Sequence, residues 1–345
     1  MAGTRRIATV MVNYRTPALA LEALRALGGE RAAEPGLRAI LVDGGSGDGS
    51  AEKLAEGIRD PALADWVELL PLAMNGGFGW ANNQAILRLL QGDDPPDYIH
   101  LLNPDTAIEP GGLSTLAAVL DSHPRCAAVG SLLLEPDGSA AGSAFAFPNA
   151  RREIVRGARM GLIQRLFAPE RLVSFGEEAG EVEWATGASV LFRSSALREV
   201  GLFDTGFFLY FEETELMWRL RAAGWSIRHE PASRVPHVGG AATGVNGTRR
   251  TALRPPLPRY WYASRRRFFA LTGSRTGAIG ASLAWLSGYA LLMARKLFGG
   301  ARQHAIVERE ARALLAYGLA PDARDRTPAI TRWTDAPGAP PAWMA

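Results

Sequence analysis

The first 130 residues alternate short apolar runs with longer amphipathic ones, and this alternation limits the fold more than any other feature of the chain. Segments 7–14, 38–43, 66–70 and 98–102 read as strands, and 18–27, 50–58, 79–90 and 112–122 as helices. Strands that are apolar along their whole length are buried on both faces. The pattern therefore predicts an α/β fold with a mostly parallel sheet flanked by helices. In such a fold ligands sit beyond the carboxyl ends of the strands. After Pro124 the pattern loosens: 127–134, 188–193 and 226–230 read as strands, with an arginine-rich insertion over 149–180. No internal repeat is evident.

Polar and glycine clusters follow the strands, at Asn13-Tyr14, at 43–50, at 75–83 and at Asn103-Pro104-Asp105-Thr106. Asp43, at a strand end ahead of a Gly/Ser turn, is placed to hydrogen-bond a nucleobase. The same turn also reads as a plain Asp-Gly turn with Ser50 capping a helix. Asn75-Gly-Gly-Phe-Gly79 permits close backbone approach to a ligand, and its amides open a helix. Gly-Lys-Ser/Thr is missing, and no Gly-x-Gly-x-x-Gly follows the first strand, which speaks against a Walker-type site and a dinucleotide-binding dehydrogenase. Asp105 suits a divalent cation bridged to a diphosphate, although Asn-Pro-Asp-Thr alone is an Asx-type turn. Farther on, an aromatic run over 207–211 leads into Glu212, Glu213 and Glu215 at a helix start. There they favour the macrodipole, and an apolar wall raises a carboxyl toward use as a base. His237, between Pro236 and Gly239-Gly240, is either structural or a metal or phosphate contact.

In their order and spacing these residues resemble the family 2 inverting glycosyltransferases of the nucleotide-sugar-binding GT-A fold, particularly bacterial rhamnosyltransferase-like members. The resemblance covers roughly 7–240, through Val12-Asn13-Tyr14, 42–50, 75–79, 102–105, Thr186-Gly187-Ala188, 211–216 and His237. It implies a GT-A catalytic domain over 1–240. On the donor side it places Asn13, Tyr14, Asp43, Asn75, Gly77, Gly79, Asn82, Asn103 and Asp105. Asp43 looks like the base-recognising carboxylate. Asp105 matches the second aspartate of the metal-binding Asp-x-Asp motif, with Asn103 in the first position. Trp184 and Gly187 fall on the acceptor side, Glu213 where the family has its catalytic base, and His237 where it reaches metal and diphosphate. One departure stands out: the usual Glu-Asp-x-Asp-Leu is Glu212-Glu213-Thr214-Glu215-Leu216, which leaves Glu213 and Glu212 both open as the base. The implied reaction is a single displacement with inversion, aided by Mg²⁺ or Mn²⁺. A nucleotide diphosphate sugar donates, first guess rhamnose on thymidine diphosphate, and a hydroxyl of a glycan or lipid-linked acceptor receives. Asp43, Asp105, Glu213 and His237 are expected to converge in one cleft.

The last third differs in charge. Net charge is only +3, yet 231–307 holds 12 Arg or Lys and no Asp or Glu, which points to an anionic partner. The run 277–294 is uncharged, but three glycines and two serines dilute it, favouring a buried or interfacial helix over a membrane span. Upstream, 259–269 interleaves aromatics with arginines, the composition of a headgroup boundary; a basic helix packed on its own domain explains it equally. No nucleic-acid motif is present. The expectation is a basic, aromatic-rich helical extension over 241–345 with peripheral membrane contact through 254–300. One cysteine, Cys126, and a first apolar run unlike a signal peptide suit a cytoplasmic protein, peripheral on the inner face of the cell membrane. Two rivals stay open. A sugar-nucleotide pyrophosphorylase would want a glycine-rich, arginine-containing loop where 12–16 stands, and the Asp-to-Glu departures suit an inactive nucleotide-binding scaffold.

Overall fold

The computed structural model describes residues 4–170, 173–174, 178–237, 256–273, 276–298, 309–319 and 323–344. Gly239-Gly240, the expected boundary at 240/241 and Arg275 lie outside the described residues. Along the first half run β1 (Ile7–Asn13), α1 (Pro17–Gly28), β2 (Leu37–Asp43), α2 (Ser50–Gly57), β3 (Val67–Pro71), α3 (Phe78–Gln91), β4 (Tyr98–Leu102), α4 (Gly112–Ser122) and β5 (Cys126–Leu134). The insertion contributes β6 (Ala144–Phe145), α5 (Ala150–Ala158), α6 (Gly161–Phe167), β7 (Val173–Ser174), β8 (Gly180–Val182) and β9 (Trp184–Ala185). There follow β10 (Ser189–Arg193), α7 (Ser194–Val200), α8 (Glu212–Ala222), β11 (Ser226–Pro236), α9 (Arg259–Thr272), α10 (Gly277–Leu297) and α11 (Glu310–Tyr317).

The main sheet has the order β3-β2-β1-β4-β10-β5-β11-β8. β1 to β4 are mutually parallel, β10 is antiparallel to both β4 and β5, and β11 is parallel to β5. Two reversals through β10 return β5 and β11 to the direction of β1. Their carboxyl ends, and the start of β10, therefore share one edge with the ends of β1, β2 and β4. β11 runs on to Pro236, beyond the expected end at 230, because register shifts around Pro231 let the strand resume pairing at Arg234. One apolar layer joins the sheet to α1 and α4, the other to α3, α7 and α8. Ser50 is the first residue of α2 rather than its cap, and its N–H donates to the Asp48 carboxylate at 3.1 Å. The start of α4 is capped from afar: buried Glu30 accepts the N–H groups of Gly111, Leu113 and Ser114.

Arg265, Arg266 and Arg267 of the 259–269 segment turn inward, while Arg259 stays exposed. Arg265 and Arg267 are buried, with Tyr262, Phe268 and Phe269 beside them. Their charges are matched by carboxylates that local pattern does not reveal. Arg265 bonds Glu153 at 2.5 Å, and Arg156 bridges Glu153 at 2.9 Å and Glu310 at 2.5 Å. Burial pushes the Glu153 carboxyl up, but Arg156 and Arg265 outweigh it and hold it at about 2. Arg266 pairs with Asp325, and Arg267 grips Asp204 at 2.7 Å. α10 packs on α5 at glycine contacts: a Cβ on Gly288 would stand 2.1 Å from the Ile154 carbonyl oxygen, and one on Gly157 2.2 Å from that of Trp285. The described residues beyond 258 thus pack against the sheet unit and its insertion.

A buried polar row crosses the sheet: Thr9, His100, Ser189, Ser131 and Ser233 contact one another in turn, on β1, β4, β10, β5 and β11. Burial alone pushes His100 down to about 3, from an ordinary 6.5. Only the unfolded chain then takes up this proton below pH 6.5, so this one group lowers stability by about 1.4 kcal/mol for each unit that pH drops below 6.5, down to about pH 3. Chemical denaturation between pH 7 and 4.5 should show a shallower slope in His100→Gln than in the parent; equal slopes would refute the assignment.

Candidate active site

The sheet edge defined by the ends of β1, β2, β4, β5 and β11 carries a cleft of about 530 Å³. It is lined by Tyr14, Gly44, Asn75, Gly77, Asn103, Asp105, Thr186, Gly187, Tyr210, Glu212, Glu213, His237 and Tyr260, among others. A larger cavity of about 910 Å³ lies at the opposite edge, where Arg5 and Arg6 are already paired with Glu34, Asp121, Asp94 and Asp97. The charges there are already paired, whereas the smaller cleft brings Asp105, His237, Glu212 and Glu213 to one opening.

Backbone pairing brings Asp105 and His237 together. The segment after β4 bonds the end of β11, with Ala107 N–H to Pro236 and Glu109 N–H to Arg234, while Thr106 and His237 form an isolated bridge. The His237 N–H in turn donates to Leu134 on β5. This sets His237 Nε2 3.3 Å from Asp105 Oδ1. Asn103 is tied by its N–H to Ala188, at the start of β10, so Gly187 and Asn103 flank the same opening. No group of three or more His, Cys, Asp or Glu able to hold a metal occurs among the described residues. Asp105 and His237 supply one carboxylate and one imidazole.

The opposite wall is made by an unusual turn. Tyr210 and Phe211 both take left-handed backbone, φ 70° and 68°, which costs a side-chain-bearing residue about 1–2 kcal/mol each. Anchors on both sides hold it: Ser264 Oγ donates to the Leu209 carbonyl, and Phe78 N–H to that of Phe208. The turn starts α8 with Glu212 and Glu213 at the cleft. Glu212 is 2 % exposed; Glu213 keeps part of its surface open and faces Gly187, where a Cβ would meet its side chain at 3.7 Å. Oε2 of each is buried with no hydrogen-bond partner. Burial pushes both carboxyls up, and the Glu213 charge pushes Glu212 farther. Glu215 is engaged otherwise: it pairs with Arg219 at 2.7 Å, whose guanidinium also donates to the carbonyls of Val200, Gly201 and Leu202.

Asn13, Asp43, Gly79, Asn82 and Trp184, placed at the site by sequence, are not among the lining residues. Asp43 is 3 % exposed; it accepts from Asn13 Nδ2 at 2.9 Å, Ser46 Oγ at 2.6 Å and Ser46 N–H at 3.1 Å. It therefore shapes the loop that presents Gly44, one layer behind the cleft, and does not converge with Asp105, Glu213 and His237. Asn13 braces the same loop, accepting from Thr16 N–H. Asn82 bonds the Phe78 carbonyl, and Gly79 leaves room for Phe203 and Glu212. Trp184 stacks on Phe145 at 4.5 Å and donates to Ala146. Sequence reasoning missed Phe78, Phe208, Tyr210 and Tyr260 as lining residues. The aromatic run was visible, but nothing local assigns Tyr260, on α9, to the cleft.

No protein-family model matches the chain. It is 33 % identical, over 228 residues, to an N-acetylglucosaminyl-diphospho-decaprenol L-rhamnosyltransferase of Mycobacterium tuberculosis, covering 62 % of this chain and 70 % of that protein. It is 28 % identical over 166 residues to the rhamnosyltransferase WbbL of Escherichia coli, covering 47 % and 60 %. Among solved structures, the mannosyltransferase PcManGT of Pyrobaculum calidifontis, in complex with GDP-Man and Mn²⁺, superposes with a TM-score of 0.53 at 15 % identity, over 92 % of this chain and 80 % of that one. GalNAc-T7 with UDP, GalNAc and Mn²⁺ also gives 0.53, at 14 % identity, over 93 % and 59 %.

The loop opening α3 is the most demanding backbone in the site. Gly77 has φ 89° and ψ 169°, a region essentially restricted to glycine, and a Cβ there would stand 2.0 Å from the Phe208 carbonyl oxygen. Gly77→Ala should cost about 1–3 kcal/mol in urea denaturation. Gly47→Ala, at φ 65° with open space around it, should cost less; equal losses would show that the close approach to Phe208 is not what demands glycine at 77.

Proposed function

Because this chain belongs to the family 2 glycosyltransferases of the GT-A fold, within their rhamnosyltransferase-like members, we propose that it moves rhamnose from a nucleoside diphosphate donor to a hydroxyl of a lipid-linked glycan. Glycosyl transfer itself follows from the family. The donor and the lipid-linked acceptor are carried over from the mycobacterial relative, whose name states both the sugar and a diphospho-decaprenol acceptor. The pyrophosphorylase reading has no support among the relatives. One observation carries the mechanism: the Asp105–His237 pair, 3.3 Å apart, and Glu212–Glu213, with carboxyls raised above their ordinary range, line one cleft.

Glu213 is the base in this reading. It has open surface toward Gly187, whereas Glu212 is packed against α3. Its carboxylate takes the proton of the acceptor hydroxyl as that oxygen attacks the anomeric carbon, the bond to the nucleoside diphosphate breaks, and configuration inverts. Glu212 raises the proton affinity of the pair, since two buried carboxylates side by side resist ionising together. Asp105 and His237, one carboxylate and one imidazole, would hold Mg²⁺ or Mn²⁺. Such an ion supplies charge stabilisation to the leaving diphosphate. Asn103 and Tyr14 flank the donor, and Asp43 acts by holding the Gly44 loop.

α10 is the one helix among the described residues long and apolar enough to cross a membrane. It buries Ala278, Ala281, Ser282, Trp285, Gly288 and Leu292, and leaves Leu283, Leu291 and Leu297 exposed, with Arg295 and Lys296 in its last turn. That two-faced arrangement favours a helix lying on an anionic bilayer over one spanning it. The protein should co-sediment with vesicles containing phosphatidylglycerol at low salt, and Leu291→Glu with Leu297→Glu should abolish this; equal sedimentation with neutral vesicles would refute the charge component.

Glu213→Gln should lower transfer by about 10²- to 10⁴-fold while nucleoside diphosphate still binds in calorimetry. Loss of binding along with activity would overturn the assignment. Because the base must be ionised and both carboxyls are pushed up, activity should fall on the acid side at a pH above the ordinary glutamate value of 4.5. A limb at or below that value would show that neither carboxyl is the base.

A further inference from the structure

The described residues after 328 form a strap along α3, the helix whose start builds the Asn75–Phe78 loop. Ile330 bridges Asp204, Thr331 exchanges backbone bonds with Leu202 and Phe203, and Asn83 Nδ2 donates both to the Phe203 carbonyl and to Thr331 Oγ1. Gln91 holds the carbonyls of Trp333 and Asp335, the Gly338 N–H donates to Gln84, and Trp80 Nε1 donates to Ala339. The strap ends at the cleft. Trp343 Nε1 donates to the Gly76 carbonyl at 2.8 Å, while its ring stands edge-on to Phe208 at 5.0 Å, and Phe208 in turn meets Tyr260 at 5.3 Å. Trp343 does not itself line the cleft.

We propose that Trp343 is a positioning residue for glycosyl transfer. It clamps the Gly76-Gly77 loop against Phe208 and so fixes the spacing between the donor loop and the turn that aims Glu212 and Glu213. One side chain holds both walls, through a hydrogen bond to one and a ring contact to the other. A displacement of about 1 Å at reacting atoms is enough to cost about 10²-fold in rate. This inference rests on the function proposed above.

The test compares three variants of the full chain: Trp343→Ala, Trp343→Phe, which keeps a ring and loses the N–H, and Gln91→Ala, which frees the strap at its far end. Each is assayed with thymidine diphosphate rhamnose for transfer or donor hydrolysis, and for thymidine diphosphate affinity by calorimetry, below the denaturation midpoint of every variant. Trp343→Ala should lower kcat/KM about tenfold or more, Trp343→Phe should recover part of it, and Gln91→Ala should stay within about twofold of the parent. Equal losses in Gln91→Ala and Trp343→Ala would reduce the tryptophan to general stability and overturn the proposal. So would a Trp343→Phe variant with unchanged kcat/KM and affinity, even if Trp343→Ala fails to fold. A parent inactive with this donor but active with another nucleotide sugar corrects the donor alone, and the comparison is then read with that sugar. A parent active with none refutes the proposed function and, with it, this inference.

Discussion

A fully buried ion pair, Asp204 with Arg267, holds the two halves of the molecule in register. Asp204 lies on the loop between α7 and α8, and also accepts N–H groups from Gly206 and Ala329. Arg267 projects from α9 and further donates to the Thr327 carbonyl. Gly206 is required there, since a Cβ would fall 2.1 Å from the guanidinium carbon. Burying such a pair has a large desolvation cost, and once buried neither partner can be lost cheaply. The return is geometric. The loop that ends in the Tyr210–Phe211 turn, the helix that delivers Tyr260, and the strap along α3 all meet at this one contact, so the cleft wall is tied to the C-terminal helices.

The other wall depends on strand direction. β10, by running against both neighbours, lets β5 and β11 end on the edge where β1, β2 and β4 end. His237 reaches Asp105 only because of that double reversal, reinforced by the backbone bonds between 105–109 and the end of β11. A sheet edge assembled this way gathers polar groups from distant parts of the chain without long loops. The site's electrostatics follow: a carboxylate and an imidazole on the sheet side, and two carboxylates with raised proton affinity on the helix side, with the cleft between them.

Much of this was legible in the sequence, and the parts that were share a cause. Strand positions and the clusters after them depend on local periodicity and turn chemistry, so the edge bearing Tyr14, Asn75, Asn103 and Asp105 could be read directly. Asp43 shows the limit. Its place at a strand end was correct, but whether its side chain turns to the cleft or to Ser46 depends on a hydrogen-bond choice that spacing does not encode. The stretch 259–269 shows a deeper one. Arginines among aromatics look interfacial when read locally, but Glu153, Asp204 and Asp325 lie between about 60 and 110 residues away and convert them into interior residues. Tyr260 and Trp343 belong to the cleft region for the same reason, through contacts that have no trace in the neighbouring sequence.

The strap also orders events during synthesis. Strands and helices of the first half can pair as they emerge, since β1 to β4 and their helices are close in the chain. The wall formed by Gly76, Phe208 and Tyr260 has no such freedom, because its clamp cannot dock until residue 343 has left the ribosome. A nascent chain can therefore hold a nearly complete sheet, with its first polar edge in place, before the facing wall is clamped against it.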